Sequence, residues 1–595
     1  MRVILQLARL NFPNGVERDD HDLSANEQIV LDFLERNLNP RWEIHVHPDL
    51  NGLKPTFVAI NPSVGIGLFR ILDGTFAPEG SYPEGTASQI LGWSHACKKE
   101  TEDLYAPSLS TKRGGFLAVT VATIAPEASD GDLSRFFGRV IDEEGVEKQE
   151  LLHPISGAQS LAKNSYSVFP PATRHHFHNM VAASADEIRE WLGLETADVR
   201  IKVPDLDRAQ KELAETRTTS GFRRVRGAAG SGKSLVLAMR AANLLREKKR
   251  VLVIGYNITL VKYLRELVLA SLAPEEHLTD KLQILHFHAW VNRGYGLSGA
   301  DIPLPEGMEA VDHRVSVLSR IFEPQHHDTF DAILVDEGQD MRPAWWNLLR
   351  MHLRPKGEML LVADFKQDLY DVSDSWTDSA MSGAGFRGQW MELESSYRMP
   401  DNINKIARDF GERYLANRQG LLPTSPEQRL NQEVCPVRWR NVEPINFFSA
   451  IVDEIIRMRD EERLQTPERR EIVVMVITRR MGINLEKVLK ERSLSVRSTF
   501  DETEYSNASA KKLLFRLNSA DIHLTTFHSF KGWESCRVLL VIQGGTKHDE
   551  AALTYVGLTR VKFDMDGGEL TVLCANQEIG KFGETITKYP QSTLI

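Results

Sequence analysis

The sequence predicts an α/β protein in which two parallel-sheet lobes follow a smaller mixed α/β region. Three observations carry that prediction. From about residue 205 onward, short apolar strands alternate with amphipathic helices, the pattern of parallel strands covered on both faces. Gly227-Ala228-Ala229-Gly230-Ser231-Gly232-Lys233-Ser234 fits the phosphate-loop pattern GxxxxGK[ST] and opens a strong helix, Leu235 to Ala242. Ile333-Leu334-Val335 is an apolar strand that ends in two adjacent carboxylates, Asp336 and Glu337. The expected division is a domain over 1–200, a lobe over 201–390 and a second lobe over 391–595.

The elements follow in order. Ser24-Ala25-Asn26-Glu27 starts an amphipathic helix through Leu38, with strand-like runs at Trp42 to Val46, Thr56 to Ile60 and Gly65 to Asp73. Residues up to about 200 are interrupted by Pro and Gly. The first set of buried strands is Arg250 to Ile254, Ala332 to Val335 and Met359 to Ala363. The second is Ile472 to Ile477, Val538 to Ile542 and Leu570 to Leu573. The stretch between the sets, about 370 to 470, is polar and rich in helix formers.

At 595 residues the length prior is roughly three to five domains. With 42% hydrophobic and 26% charged residues the composition is that of an ordinary globular protein. The net charge of −10 gives no global basic field, so any nucleic-acid contact needs a local groove. Cys97, Cys435, Cys536 and Cys574 are scattered and form no CxxC pair, which argues against a disulfide framework and a zinc site and for a cytoplasmic setting. The first ten residues are too short for a signal-peptide core, and no apolar run is long enough to span a membrane.

About 0.02 chance matches to the phosphate-loop pattern are expected in a chain this long at ordinary Gly and Lys frequencies. Glycines let the loop backbone approach phosphates, and the helix N-terminus supplies N–H groups and a favourable dipole. Lys233 is expected at the β/γ-phosphates and Ser234 Oγ on magnesium. Asp336, at the carboxyl end of its strand, is expected to hold the same Mg2+ through water, and Glu337 to orient or deprotonate the attacking water.

These segments, read together, resemble superfamily 1 helicases of the UvrD/Rep/PcrA type, in order from 205 to 595. Gln210 resembles the glutamine that reads adenine. Tyr256-Asn257 and His286-Phe287-His288 resemble two single-strand-contacting elements. Asp364-Phe365-Lys366-Gln367-Asp368-Leu369-Tyr370 resembles the motif whose glutamine senses the γ-phosphate. Ser396-Tyr397-Arg398 resembles the motif in which Tyr stacks on adenine and Arg touches the γ-phosphate. Thr525-Thr526-Phe527-His528-Ser529-Phe530-Lys531-Gly532-Trp533-Glu534 matches the family's TxHxxKGxE pattern, and Tyr555 to Arg560 its last motif, which carries a second arginine. The resemblance implies two RecA-like lobes forming a helicase core. It implies a catalytic set of Lys233, Asp336, Glu337, Gln367, Arg398 and Arg560. ATP contacts fall to Gln210, Gly227, Gly230, Ser231, Gly232, Lys233, Ser234, Tyr397 and Glu534. Strand contacts fall to Tyr256, Asn257, His286, His288, Tyr370, Thr526 and His528. The chain departs from the family where a Trp-Arg pair usually follows the glutamine motif, because Tyr370 is followed by Asp371-Val372-Ser373. The large insertions of the best-known members look reduced, so translocation is better supported than processive unwinding.

The N-terminal order of elements resembles the nuclease-related (NERD) domain, which implies a restriction-endonuclease-like α/β fold. Glu27 fits the family's early glutamate. Thr56 stands where its aspartate is expected, and Arg70 and Leu72 where Glu and Lys are expected. A magnesium site needs oxygen ligands, so the expectation is a degenerate nuclease fold. Ser24-x-x-Glu27 is also a capping box. His175, His176 and His178 invite a metal reading, against which stands a solvated or nucleic-acid-facing loop.

The resulting expectation is an ATP-dependent translocase or helicase on single-stranded DNA, or on duplex with a single-stranded end, in bacterial DNA repair or anti-phage defence. The alternative is a nucleotide- or DNA-end-sensing regulatory ATPase that controls an effector or nuclease partner. An active nuclease-helicase fusion is disfavoured by Thr56, Arg70 and Leu72. RNA stays open as substrate, because stacking and backbone tracking do not distinguish sugars without 2′-OH contacts.

Overall fold

The computed structural model describes residues 9–11, 23–48, 50–51, 53–76, 82, 86–102, 106, 109, 118–144, 153–163, 167–173, 180, 182–192, 203–258, 260–272, 281–298, 300, 302–324, 327–369, 376, 378–387, 389–418, 420–425, 434–460, 471–500, 512, 522–562 and 568–594. They form a mixed α/β protein with three sheets, two of them wholly parallel. The chain divides into two compact units. One comprises Met1–Val199, His277–Asp280 and His288–Ile321, and the other Arg200–Glu276, Lys281–Phe287 and Phe322–Ile595.

The first unit holds a mixed sheet in the order β1 (Arg9–Asn11), β2 (Glu43–Val46), β3 (Phe57–Asn61), β4 (Gly65–Ile71), β5 (Val119–Ile124) and β6 (Ile155–Ser156). The β2–β3 and β3–β4 pairs are antiparallel, and the others parallel. The helix Ala25–Asn37 packs Val30, Leu31 and Leu34 into a core with Trp42, Phe57, Phe69 and Phe169. It begins at a capping box: Glu27 N donates to Ser24 Oγ at 3.2 Å and Ser24 N to Glu27 Oε2 at 2.8 Å.

Residues 288–321 belong to this unit although their sequence falls within the span expected of the first lobe. Their anchor is Arg293, which is buried and donates to Glu100 Oε1 at 2.6 Å and to Asn51 O at 2.7 Å. A buried guanidinium needs such full pairing, because an uncompensated charge costs about 3–5 kcal/mol.

The second unit carries both parallel sheets. One has the order β12 (Met391–Leu393), β7 (Phe222–Gly227), β11 (Leu353–Ala363), β10 (Phe330–Val335), β8 (Val251–Gly255) and β9 (Leu282–His286). Every residue of β8 and β9 is buried, as parallel strands covered on both faces require. Met391 pairs with Val225 and Leu393 with Gly227, so this sheet continues three residues past the boundary expected at 390. The other sheet runs β15 (Val496–Ser498), β16 (Ile522–Thr526), β14 (Ile472–Val476), β17 (Arg537–Ile542), β18 (Glu569–Cys574), β13 (Val437–Asn441) and β19 (Ser592–Leu594). Its core includes Trp439, fully buried against Phe582, and a Cβ on Gly583 would meet the Trp439 indole nitrogen at 2.0 Å. The loops after β7, β8, β9, β10, β11 and β16 all leave the carboxyl ends of parallel strands, where α/β sheets place ligands.

Candidate nucleotide-hydrolysis site

The phosphate loop leaves β7 and returns as the helix Lys233–Arg246. Gly230 and Gly232 hold φ of 75° and 78°, the left-handed region glycine adopts without steric cost. A Cβ at Gly230 would lie 2.5 Å from Ser396 Oγ, and one at Gly232 2.6 Å from Gln210 Nε2. A Cβ at Gly227 would lie 2.4 Å from Ser231 Oγ. Lys233 Nζ folds back over this turn, donating to Gly227 O at 3.0 Å, Ala228 O at 2.9 Å and Asp364 Oδ2 at 3.3 Å.

Ser234 Oγ donates to Asp336 Oδ2 at 2.7 Å, and the backbone N–H of Glu337 to Asp336 Oδ1 at 2.9 Å. Burial, with the Glu337 charge adding to it, pushes the Asp336 carboxyl up to about 6. Hydroxyl and carboxylate thus face each other as an oxygen pair suited to a hard divalent cation. Glu337 is a non-glycine residue at φ 53°, ψ 44°. Strain of this kind costs about 1–3 kcal/mol and clusters at functional sites. Its Oε2 accepts from Gln339 Nε2 at 2.5 Å and lies 3.7 Å from Lys531 Nζ. Burial works to raise the Glu337 carboxyl, but the charges of Lys531 and Lys233 outweigh it and hold the group below the usual carboxylate range.

A second line of contacts brings in the other parallel sheet. Arg560, which follows the helix Glu550–Leu558, is 2% exposed and donates to Gln367 Oε1 at 2.8 Å. Gln367 Nε2 donates to Asp364 Oδ2 at 2.8 Å, and Asp364 N to Gln339 Oε1 at 2.8 Å. Burial, and then the neighbouring charge of Arg398, bring the Arg560 guanidinium down to about 10, still a cation at neutral pH. Arg398 ion-pairs with Glu534. Lys531 Nζ reaches Asp340 Oδ2 at 2.6 Å, and burial, opposed by Lys531, pushes the Asp340 carboxyl up to about 7. Lys233, Ser234, Asp336, Glu337, Gln367 and Arg560 therefore form one connected group, with Arg398 and Glu534 paired beside it.

Tyr397 is 46% exposed, and its hydroxyl donates to Asp207 Oδ2 at 2.6 Å. Both ends of the Gln210 amide are engaged: Oε1 accepts from Asp207 N at 2.9 Å and Nε2 donates to Ser231 O at 3.0 Å. Gln210 thus ties a helix cap to the phosphate loop. Asp340, Asp364, Gln339 and Lys531 are the site members that motif reading left without a role. Gln339 and Asp340 follow Asp336-Glu337-Gly338 directly, Asp364 follows the apolar run Met359 to Ala363, and Lys531 lies in the turn after β16.

The residues expected along a strand are less uniform. Tyr256 stacks on Trp345, centroids 6.3 Å apart and planes 14° from parallel. Asn257 Nδ2 donates to Lys531 O at 2.7 Å and Ser529 O at 3.3 Å. Thr526 caps the turn Phe527–Phe530, its Oγ1 accepting from Ser529 N at 3.1 Å. His528 rests 5.9 Å from the His548 ring, and burial lowers it to about 4, so it is neutral at ordinary pH. His286 ends β9 in the second unit and is buried, whereas His288 belongs to the first unit. Tyr370 lies outside the described residues, as do His175, His176 and His178.

In the first unit Glu27 is engaged by its capping box and by His47 Nε2 at 2.7 Å. Thr56 Oγ1 accepts from Ile71 N at 3.3 Å, and the Arg70 guanidinium lies over the Trp93 ring at 4.9 Å. Among the described residues no group of three or more His, Cys, Asp or Glu could hold a metal ion.

Residues 210–373 match a family model described as an AAA domain, a domain typical of UvrD/Rep-like superfamily 1 helicases. Such a domain is a phosphate-loop ATPase module and implies nucleotide binding with a divalent metal. No curated protein matches the chain. Among the described residues, no helix is long and apolar enough to cross a membrane.

Proposed function

We propose that the chain is an ATP-driven translocase on single-stranded DNA, of the UvrD-like type. The observation that carries the reading is the reach of Arg560 to Gln367 at 2.8 Å and of Lys531 to Asp340 at 2.6 Å. Both are cations from the second parallel sheet's half of the unit, and both touch the carboxylate and amide cluster beside the phosphate loop.

In this reading Lys233 leaves its carbonyl contacts to neutralise the β/γ-phosphates, and the loop N–H groups hold them. Ser234 and Asp336 would hold Mg2+, which would neutralise phosphate charge. Glu337 accepts a proton from the attacking water, and Gln367 orients that water or the γ-phosphate. Arg560 and Arg398 stabilise the charge that develops on the transferring group, an effect on the order of 10³–10⁵ in rate for such arginines. Tyr397, half exposed next to Gln210, offers a face to adenine. Because Arg560 comes from the far side, hydrolysis depends on closure. Each ATP then closes and reopens the two halves, which is how turnover moves a bound strand. Stacking on aromatics such as Tyr256 makes the grip independent of sequence, at about 1–3 kcal/mol per base.

The test is ATP hydrolysis by the full chain with single-stranded DNA, duplex DNA and RNA side by side, followed by displacement of a protein roadblock from a single strand. Stimulation by single-stranded DNA together with displacement supports the reading; hydrolysis indifferent to every nucleic acid removes it. The second reading, a regulatory ATPase gating an effector in the cytoplasm, is favoured by Thr56, Arg70 and Leu72 at the nuclease positions. It predicts stimulation by strand ends without displacement.

A further inference from the structure

Lys531 is 3% exposed, and its ammonium lies 2.6 Å from Asp340 Oδ2 and 3.7 Å from Glu337 Oε2. Asp340 is 1% exposed, and its other oxygen, Oδ1, is buried with no hydrogen-bond partner among the described residues. Lys531 is therefore the main compensation for that buried charge. The peptide that carries Lys531 is itself clamped. Asn257 Nδ2 donates to the carbonyls of Lys531 and Ser529. The next residue, Gly532, has φ 89°, and a Cβ there would meet Leu260 Cδ1 at 2.2 Å. The turn 529–532 is thus docked on Asn257 by that residue's amide and on Leu260 by a close approach of Gly532 that only glycine allows.

We infer that Lys531 is a positioning residue for Glu337, seated by a seam that Asn257 and Leu260 form with residues 529–532, and that this seam reports strand occupancy to the hydrolytic carboxylate. The inference rests on the proposed function and names the regulation of the same site. The seam is bounded by Tyr256 on one side and by the Thr526–His528 turn on the other, the two segments expected to flank a strand. A strand lying there fixes both edges of the seam. The Lys531 peptide then cannot retreat, and its ammonium stays against Glu337 and Asp340. With the seam loose, Glu337 loses the cation that holds its side chain, and the attacking water loses its base. Sub-ångström placement of such a group controls rate far more than binding.

The experiment measures kcat, nucleotide affinity and strand affinity of the full chain. Lys531→Met is combined with Asp340→Asn, so that a neutral pair replaces the buried ion pair. The double variant should turn over about a hundredfold more slowly with nucleotide affinity unchanged. Lys531→Arg should keep most of the rate. Asn257→Ala, which leaves every nucleotide contact in place, should lower kcat and the ratio of strand-stimulated to strand-free rate. A folded double variant with wild-type kcat overturns the inference, as does a rate loss matched by lost nucleotide affinity. Where the double variant does not fold, Asn257→Ala with wild-type kcat and stimulation ratio overturns it alone. If the wild-type protein is not stimulated by any strand, the translocase reading fails, and the Lys531 assignment is decided by the strand-free kcat.

Discussion

The nucleotide site and the N-terminal corner around Glu27, Thr56 and Arg70 both place polar residues beside β-strands, and they differ in what those residues do. Around the phosphate loop the carboxylates Asp336, Glu337, Asp340 and Asp364 are buried together and matched by Lys233, Lys531 and Arg560. Burying four acids is costly unless cations and hydrogen bonds compensate each one, so such a cluster is built only where it is used. In the N-terminal corner the polar groups make small local contacts, Glu27 meeting His47 and Asn26 bridging Asp73 and Glu127. Glu27 caps its helix, Thr56 bonds backbone, and Arg70 covers a tryptophan. Motif positions alone do not make a site; convergence of charge does.

The largest effects should fall on the first side of that comparison. Lys233→Ala should abolish turnover. Glu337→Gln should bind ATP yet hydrolyse it about 10²–10⁴-fold more slowly, because the proposed general base is lost while the Ser234–Asp336 pair survives. Single-turnover kinetics with labelled ATP checks this, and wild-type turnover in Glu337→Gln would assign the base elsewhere.

Next comes a stability effect in the first unit. Glu100→Gln leaves the buried Arg293 guanidinium with half its pairing and should destabilise that unit by about 3–5 kcal/mol. Denaturant unfolding followed by limited proteolysis of residues 288–321 reads it. Equal stability would mean that Arg293 is hydrated rather than sealed.

A pH effect of the same sign belongs to both units. Burial lowers His153 to about 3 and His352 to about 4, so each stays neutral when folded. The unfolded chain takes up a proton near 6.5, where the folded chain does not. Stability is therefore fully present above about pH 6.5 and is lost as pH falls from there toward the folded values. Asp336 and Asp340, raised to about 6 and about 7, act with the opposite sign over the same window, so the histidine contribution is read by difference. Between pH 7.5 and 5 the wild-type thermal midpoint should fall by more than that of a His153→Gln, His352→Gln variant, and parallel profiles would contradict the burial.

The smallest effect sharpens the contrast. Glu27→Ala should cost about 1 kcal/mol, the value of a helix cap, and should change no DNA cleavage. Incubation of the full chain with linear and circular DNA and magnesium or manganese is the assay. Cleavage that vanishes in Glu27→Ala would return the nuclease reading to the first unit.

The legible and illegible parts of the molecule divide along a physical line. The phosphate loop, Asp336 and Glu337 could be read because strand, turn and helix are contiguous, and local geometry places the functional atoms. The parallel sheets could be read because strands buried on both faces are continuously apolar, as in Val251 to Ile254 and Ile472 to Val476. Lys531, Asp340 and Asp364 were invisible as a group because they meet only through tertiary contact across nearly two hundred positions. Asn257 shows the converse. Its place after β8 suits a strand contact, yet its amide is turned to the carbonyls of Ser529 and Lys531. The membership of residues 288–321 in the first unit had no local signal, because the pairing of Arg293 with Glu100 joins positions nearly two hundred residues apart.

The claim at the centre is that cations from the second parallel sheet complete the hydrolytic site of the first. Arg560→Ala tests it most directly, with nucleotide affinity and kcat measured on the same preparation. The account predicts affinity close to wild type and kcat lower by at least about a hundredfold, because the arginine acts on charge that appears only in the transition state. A large loss of affinity with unchanged kcat would contradict it.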